Sequence, residues 1–161
     1  MSDWVAVASA LLAAVGLIFA GGQLMLGNQR AREDRRLSID GVGVSWRSIE
    51  TPVEAGSDGY AEWVYEITVD NPGPFPIDHV EICLVFPCQV QRVHYNRDRD
   101  DPTDRLPLGA PVLTGRSQRQ WRRRLRIKFD GRPSLQETYA VVTFRDIERK
   151  PRENRWPREE R

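Results

Sequence analysis

Residues 60–70, YAEWVYEITVD, decide the fold class of this chain. Ala61, Trp63, Tyr65, Ile67 and Val69 fall on one side of an extended backbone. Glu62, Glu66, Thr68 and Asp70 fall on the other. An apolar side and a charged side repeating every second residue mark a strand with one face buried and one face wet. Asn71-Pro72-Gly73-Pro74 then ends the strand with turn-forming residues.

The same signal recurs on either side. Leu37 and Ile39 alternate, and Val42, Val44 and Trp46 alternate in the opposite register, with Gly41 at the switch where a bulge would sit. Residues 50–59 read as a loop. A further strand spans 77–86, with Val80, Ile82, Leu84 and Phe86 on one face, and Pro87 is expected to interrupt it. Val90, Val93 and Tyr95 predict another strand. Residues 96–105, NRDRDDPTDR, read as a solvated loop, and Val112 and Leu113 as a short strand. In 118–129, Trp121, Arg123, Leu125, Ile127 and Phe129 share one face, and Arg122, Arg124, Arg126 and Lys128 the other. Ala140, Val142 and Phe144 mark the last strand, at 138–145. Six or seven short strands punctuated by turns predict a mainly β fold, an antiparallel sandwich over residues 37–146. The charged tail, 147–161, is expected to be irregular.

In front of this domain, residues 4–26, WVAVASALLAAVGLIFAGGQLML, carry no formal charge. As a helix they would extend about 34 Å, enough to cross a hydrocarbon core of about 30 Å. A single transmembrane helix is therefore expected, with Trp4 at the interface. A cleaved signal peptide is the rival, but the n-region Met-Ser-Asp lacks the positive charge such a peptide needs. Residues 27–36 form a charged juxtamembrane linker. Its Arg30, Arg32, Arg35 and Arg36 place the C-terminal domain in the cytoplasm, with a short N-terminus outside the inner membrane. Small residues spaced four apart, Ala6, Ala10 and Ala14, then Gly16 and Ala20, offer a helix-packing face through which the chain would self-associate.

Net charge is +1, so bulk charge selects no partner; the layout is more telling. Residues 48–91 hold eight acids and no Lys or Arg, whereas 116–128 hold seven basic residues and no acid. Cys83 and Cys88 on one strand would be about 17 Å apart, beyond the reach of a disulfide of about 7 Å. Two free thiols agree with a reducing compartment. Their spacing and the nearby His79 and His94 do not form a tetrahedral metal pattern, and no cofactor motif occurs.

The run from Tyr65 to Val80, an alternating strand, an Asn71-x-Gly73 turn and a proline-containing entry to the next strand, resembles immunoglobulin-like β-sandwiches. The ending, Val142-Thr143-Phe144-Arg145-Asp146 with Trp156 beyond, is similar to uncharacterised single-pass membrane proteins of high-GC bacteria. Ile147–Arg155 lacks the glycine expected in that family's final turn. The resemblance implies a fold and a membrane setting; it implies no activity.

No catalytic constellation accompanies these features, and no enzyme is expected. Arg122, Arg124, Arg126 and Lys128 line about 20 Å of strand and offer an anionic-surface contact, such as acidic lipids. If their strand lies beside 60–70, they instead pair with Glu62, Glu66 and Asp70 across the sheet. Nucleic acid is not expected, because the aromatic platforms that hold single strands are missing. The expected function is an interaction module for a protein partner at the inner membrane face. A lipid-facing accessory or effector protein is the alternative.

Overall fold

The computed structural model describes residues 22–157. Most of the expected membrane span, including the packing face from Ala6 to Ala20, lies outside these residues. Among the described residues, no helix is long and apolar enough to cross a membrane. The chain divides into two compact units, Met1–Arg35 and Arg36–Arg161. The described part of the first is helical, with Arg30, Arg32 and Arg35 exposed; Arg36, also exposed, opens the second.

The helix runs over 22–40, so Leu37 and Ile39 are helical and not extended. Two alternating apolar residues are too few to fix a period, and the preceding RAREDRR favours helix throughout. Gly41 is its stop and not a bulge. Its N–H donates to the Leu37 carbonyl at 3.1 Å. A Cβ there would lie 2.3 Å from the Leu37 oxygen and 2.6 Å from Pro72.

The second unit is mainly β. Its strands are β1 (Gly43–Glu50), β2 (Tyr60–Asn71), β3 (Ile77–Val93), β4 (Thr103–Leu113), β5 (Ser117–Lys128), β6 (Tyr139–Arg145) and β7 (Pro151–Trp156). A 3₁₀ segment, Phe129–Glu137, joins β5 to β6. The seven strands form one hydrogen-bonded sheet in the order β1-β2-β5-β3-β6-β7, with β4 on β3. Every pairing is antiparallel.

The sheet curls because β3 changes neighbours along its length. Ile77–Val85 pairs with β4, and Asp78–Val85 with β6. Val90–Val93 pairs with β5. Pro87, which has no N–H to give a ladder, sits between the two pairing regions. It therefore redirects the strand and does not end it. The inward residues of all seven strands' curl enclose one core, with Trp63, Ile67, Leu84, Leu125, Ile127 and Val142 almost wholly buried.

Two further expectations are corrected. Residues 103–105 belong to β4 and not to a loop, and β4 is a full strand of 11 residues. The tail is not irregular throughout, because Pro151–Trp156 pairs with β6. Asp146 builds the turn between them. Its Oδ1 accepts from the Glu148 and Lys150 N–H groups, each at 2.9 Å. Its Oδ2 accepts from Arg152 Nε at 2.9 Å, and an Arg152 terminal nitrogen lies 2.8 Å from it as an ion pair. Those bonds do the work for which a glycine turn was expected.

The Asn71 turn is stapled in a comparable way. Asn71 is fully buried, and its Nδ2 donates to the carbonyls of Phe75 at 2.9 Å and Thr114 at 3.1 Å. Gly73 lets the chain press on Ser38, where a Cβ would come within 2.1 Å of the hydroxyl.

Candidate functional site

The acidic and basic strands are neighbours. β2 pairs with β5 in a register that sets Glu62 opposite Arg126, Val64 opposite Arg124 and Glu66 opposite Arg122. Asp70 faces Gln118, and Lys128 faces Tyr60. The outer face of this ribbon is thus knit by charge, as adjacent opposite charges on a sheet allow.

The pairs are unequal. Glu66 is buried, and Arg47 from β1 holds its Oε1 through Nε at 2.9 Å and a terminal nitrogen at 2.6 Å. Arg122 reaches the other oxygen at only 3.6 Å. Arg124 approaches Glu62 at 3.8 Å, with both side chains about half exposed. Arg126 is the best satisfied. It bonds to Asp58, donates to Gln91 Oε1 at 2.7 Å and lies 4.0 Å over the Tyr60 ring. The Tyr60 N–H and Arg126 together hold the Asp58 carboxyl below its ordinary pKa.

Periodicity puts Arg123 on the core face of β5, and it does lie inward of its neighbours, opposite Tyr65. It is half-buried, its Nε is buried without a hydrogen-bond partner, and one terminal nitrogen donates to the Arg122 carbonyl at 2.9 Å. Burial, with the nearby charge of Arg92, pushes its pKa below the usual arginine value. Past Val93, β3 leaves β5 and turns at 94–99. Here Arg97 stands at φ 67°, its N–H bonded to the His94 carbonyl at 2.9 Å. The His94 ring meets Asp100 at 2.7 Å.

These elements enclose a cleft of about 610 Å³ bordered by Arg97, Arg122, Arg123, Arg124, His94 and Glu50. The structure therefore splits the four basic residues singled out by alternation. Arg122 and Arg124 border the cleft; Arg126 and Lys128 do not. Arg97 and Arg123 join it instead. Arg97 carried no signal within its mixed-charge run, and Arg123 was hidden in an apolar stripe.

Cys83 and Cys88 are free and half-buried, and burial raises the pKa of each. Burial likewise pushes the Tyr65 phenol up to about 12. Among the described residues, no group of His, Cys, Asp and Glu could hold a metal ion.

No protein-family model matches the chain, and no curated protein does. Three solved structures are similar at low identity. Northeast Structural Genomics Consortium target SoR45 is 11% identical over 71% of this chain and 79% of its own, with a TM-score of 0.38. A FixG-related protein from Vibrio parahaemolyticus is 13% identical over 73% of this chain and 95% of its own, at 0.35. A protein from Archaeoglobus fulgidus is 14% identical over 74% of this chain and 98% of its own, at 0.23.

Proposed function

We propose that the β domain is an immunoglobulin-like sandwich that binds and does not catalyse. In this proposal it is held at the inner membrane face by residues 4–26 and takes a protein partner along the edge of β1 beyond Gly43, the residue against which Trp156 packs. The strand connections support the sandwich. Read as a sandwich, the curled sheet would put β1, β2 and β5 in one layer and β4, the first half of β3, β6 and β7 in the other, with the links β2–β3, β4–β5 and β5–β6 crossing between them. The uncharged 23 residues at 4–26 and the arginines that follow support the membrane setting.

The state of the sheet edges carries the partner reading. β4 has Pro107 and Pro111, four apart and so on the same edge of the strand. Prolines in a sheet take the positions whose N–H would point away from the ladder, so this edge is poor in donors. β7 is bounded by Pro151 and Pro157, and its Trp156 indole donates to the Val42 carbonyl at 3.0 Å. The open stretch of β5 before Arg124 bristles with Arg119, Arg122 and Arg123, a charge guard against strand pairing. β1 pairs with β2 alone, contains no proline, and has Arg47 turned onto Glu66. It is the edge best able to accept a partner strand, where backbone bonds give affinity and alternate side chains give selectivity.

A photo-crosslinking residue at Ser45 of the full-length chain, in native membranes, tests this. One stoichiometric protein adduct that persists in high salt, and that is not seen from Val112 on β4, is the expected result. Equal adducts from both positions, or lipid adducts alone, would sink the proposal. A lipid-facing accessory role is the alternative, and it draws support from Arg122 and Arg124 more than from Arg126, which Asp58 and Gln91 already satisfy.

A further inference from the structure

We propose that the cleft between β5 and the 94–99 turn binds a phosphate group, with Arg97, Arg122, Arg123 and Arg124 as its cationic walls. Four arginines are among the residues that line it, with Glu50 the one acidic residue. None of the four is well neutralised by the protein. Arg97 has no ion-pair partner among the described residues. Arg122 shares Glu66 with Arg47 and holds the longer contact, 3.6 Å against 2.6 Å. Arg124 has one loose pair at 3.8 Å. Arg123 has a buried Nε with nothing to bond, and a second arginine, Arg92, close enough to oppose its charge.

Like charges gathered beside a low-dielectric wall repel, and an anion placed among them relieves that repulsion. Phosphate is the anion that fits the chemistry. Guanidinium forks meet two of its oxygens at once, and several arginines can share its charge. The geometry is held ready. Arg122, Arg123 and Arg124 ride on a strand fixed by β2, and the turn that carries Arg97 is closed by the His94 N–H to Asp98 carbonyl bond of 2.8 Å. The cleft is larger than a bare phosphate needs, and Val64 and Tyr95 add apolar lining for the group the phosphate is attached to. The cleft touches β1 only at its end, through Ile49 and Glu50, and none of the variants in its test lies on β1, so either proposal can fail without the other.

Inorganic phosphate titrated by calorimetry into the full-length chain in neutral detergent, against chloride at matched ionic strength, is the test. Saturable binding is expected. Arg97→Gln and Arg123→Gln should each weaken it by roughly tenfold or more, the worth of a charge-assisted hydrogen bond. Lys128→Gln, at the other end of the strand, should leave it unchanged. Arg97 is on an exposed turn, so its variant carries the test if Arg123→Gln fails to fold. Displacement of the phosphate by short-chain phosphatidylglycerol assigns the site to a lipid headgroup; displacement by glycerol 3-phosphate alone assigns it to a soluble ester. No saturable binding, binding reproduced by chloride, or equal losses from Arg97→Gln and Lys128→Gln would overturn the proposal.

Discussion

Replacing Asp146 should cost more than replacing any exposed acid in the domain, and in a graded way. The residue is 4% exposed and accepts three hydrogen bonds, two from backbone N–H groups and one from Arg152, whose terminal nitrogen also makes an ion-pair contact at 2.8 Å. Asp146→Asn keeps an oxygen for Glu148 and Lys150 but turns an amide N–H₂ toward Arg152. It loses the charge-assisted pair, and because Arg152 is partly exposed and can rehydrate, the cost is about 2–3 kcal/mol. Asp146→Ala also strands the two backbone donors, which raises the cost to roughly 3–5 kcal/mol. Urea unfolding followed by tryptophan fluorescence measures both. A cycle with Arg152→Ala should return a coupling of about 1–2 kcal/mol. The pH dependence has a definite sign. Burial pushes the Asp146 carboxyl up, but the Lys150 N–H, Arg152 and the Glu148 N–H outweigh it and set the folded pKa below the ordinary 3.8. Its stabilisation is therefore complete above that value and is lost as pH falls through the folded pKa. Asp146→Ala should flatten this acid limb. An Asp146→Asn protein within about 0.5 kcal/mol of the parent, or a coupling near zero, would refute the account of this turn.

Three other outcomes are expected. Trp63→Ala, which empties a site only 1% exposed beneath Phe129, should cost about 3–5 kcal/mol in the same unfolding assay. Double-mutant cycles should separate two of the ion pairs of β2, with Glu62–Arg124 coupled by less than about 1 kcal/mol and Glu66–Arg47, whose carboxylate is buried and whose guanidinium is exposed, by more. Asp101→Cys in a Cys83→Ala, Cys88→Ala background should resist a membrane-impermeant maleimide until cells are lysed; labelling of intact cells would reverse the proposed orientation. Asp101 is exposed and suits such a probe, whereas Asn154 does not, because its amide bonds to the Ile39 and Val42 carbonyls.

The strands that sequence discloses most clearly are those with one dry and one wet face. Trp63, Tyr65, Ile67 and Val69 announce β2, and Leu125 with Ile127 announce β5, because the period survives in the residues themselves. β4 has the same period, Leu106, Leu108 and Ala110 inward, but Pro107 among them and Pro111 just after are residues that usually break a strand. Prolines break a central strand and not the outer edge of a lateral one, and lateral position is a tertiary fact. β7 is hidden for a related reason. Arg152, Asn154 and Trp156 alternate as half-buried residues on a strand that is otherwise polar. At the cleft, Arg122 and Arg124 were legible as a basic face. Arg97 was not, because only the pairing of β3 with β5 brings its turn to them.

One strand belongs to both halves of the domain, and this bears on how the domain opens. Backbone amides of Ile77–Val85 are locked by β4 and β6, and those of Val90–Val93 by β5. Peeling away either half would pull the shared strand out of the other, so partial opening gains little chain entropy for the bonds it breaks. The two halves of the sheet should act as a single cooperative unit, with amide hydrogens on both sides of Pro87 exchanging only through global unfolding. A domain built this way has few intermediate states in which its inward faces meet water.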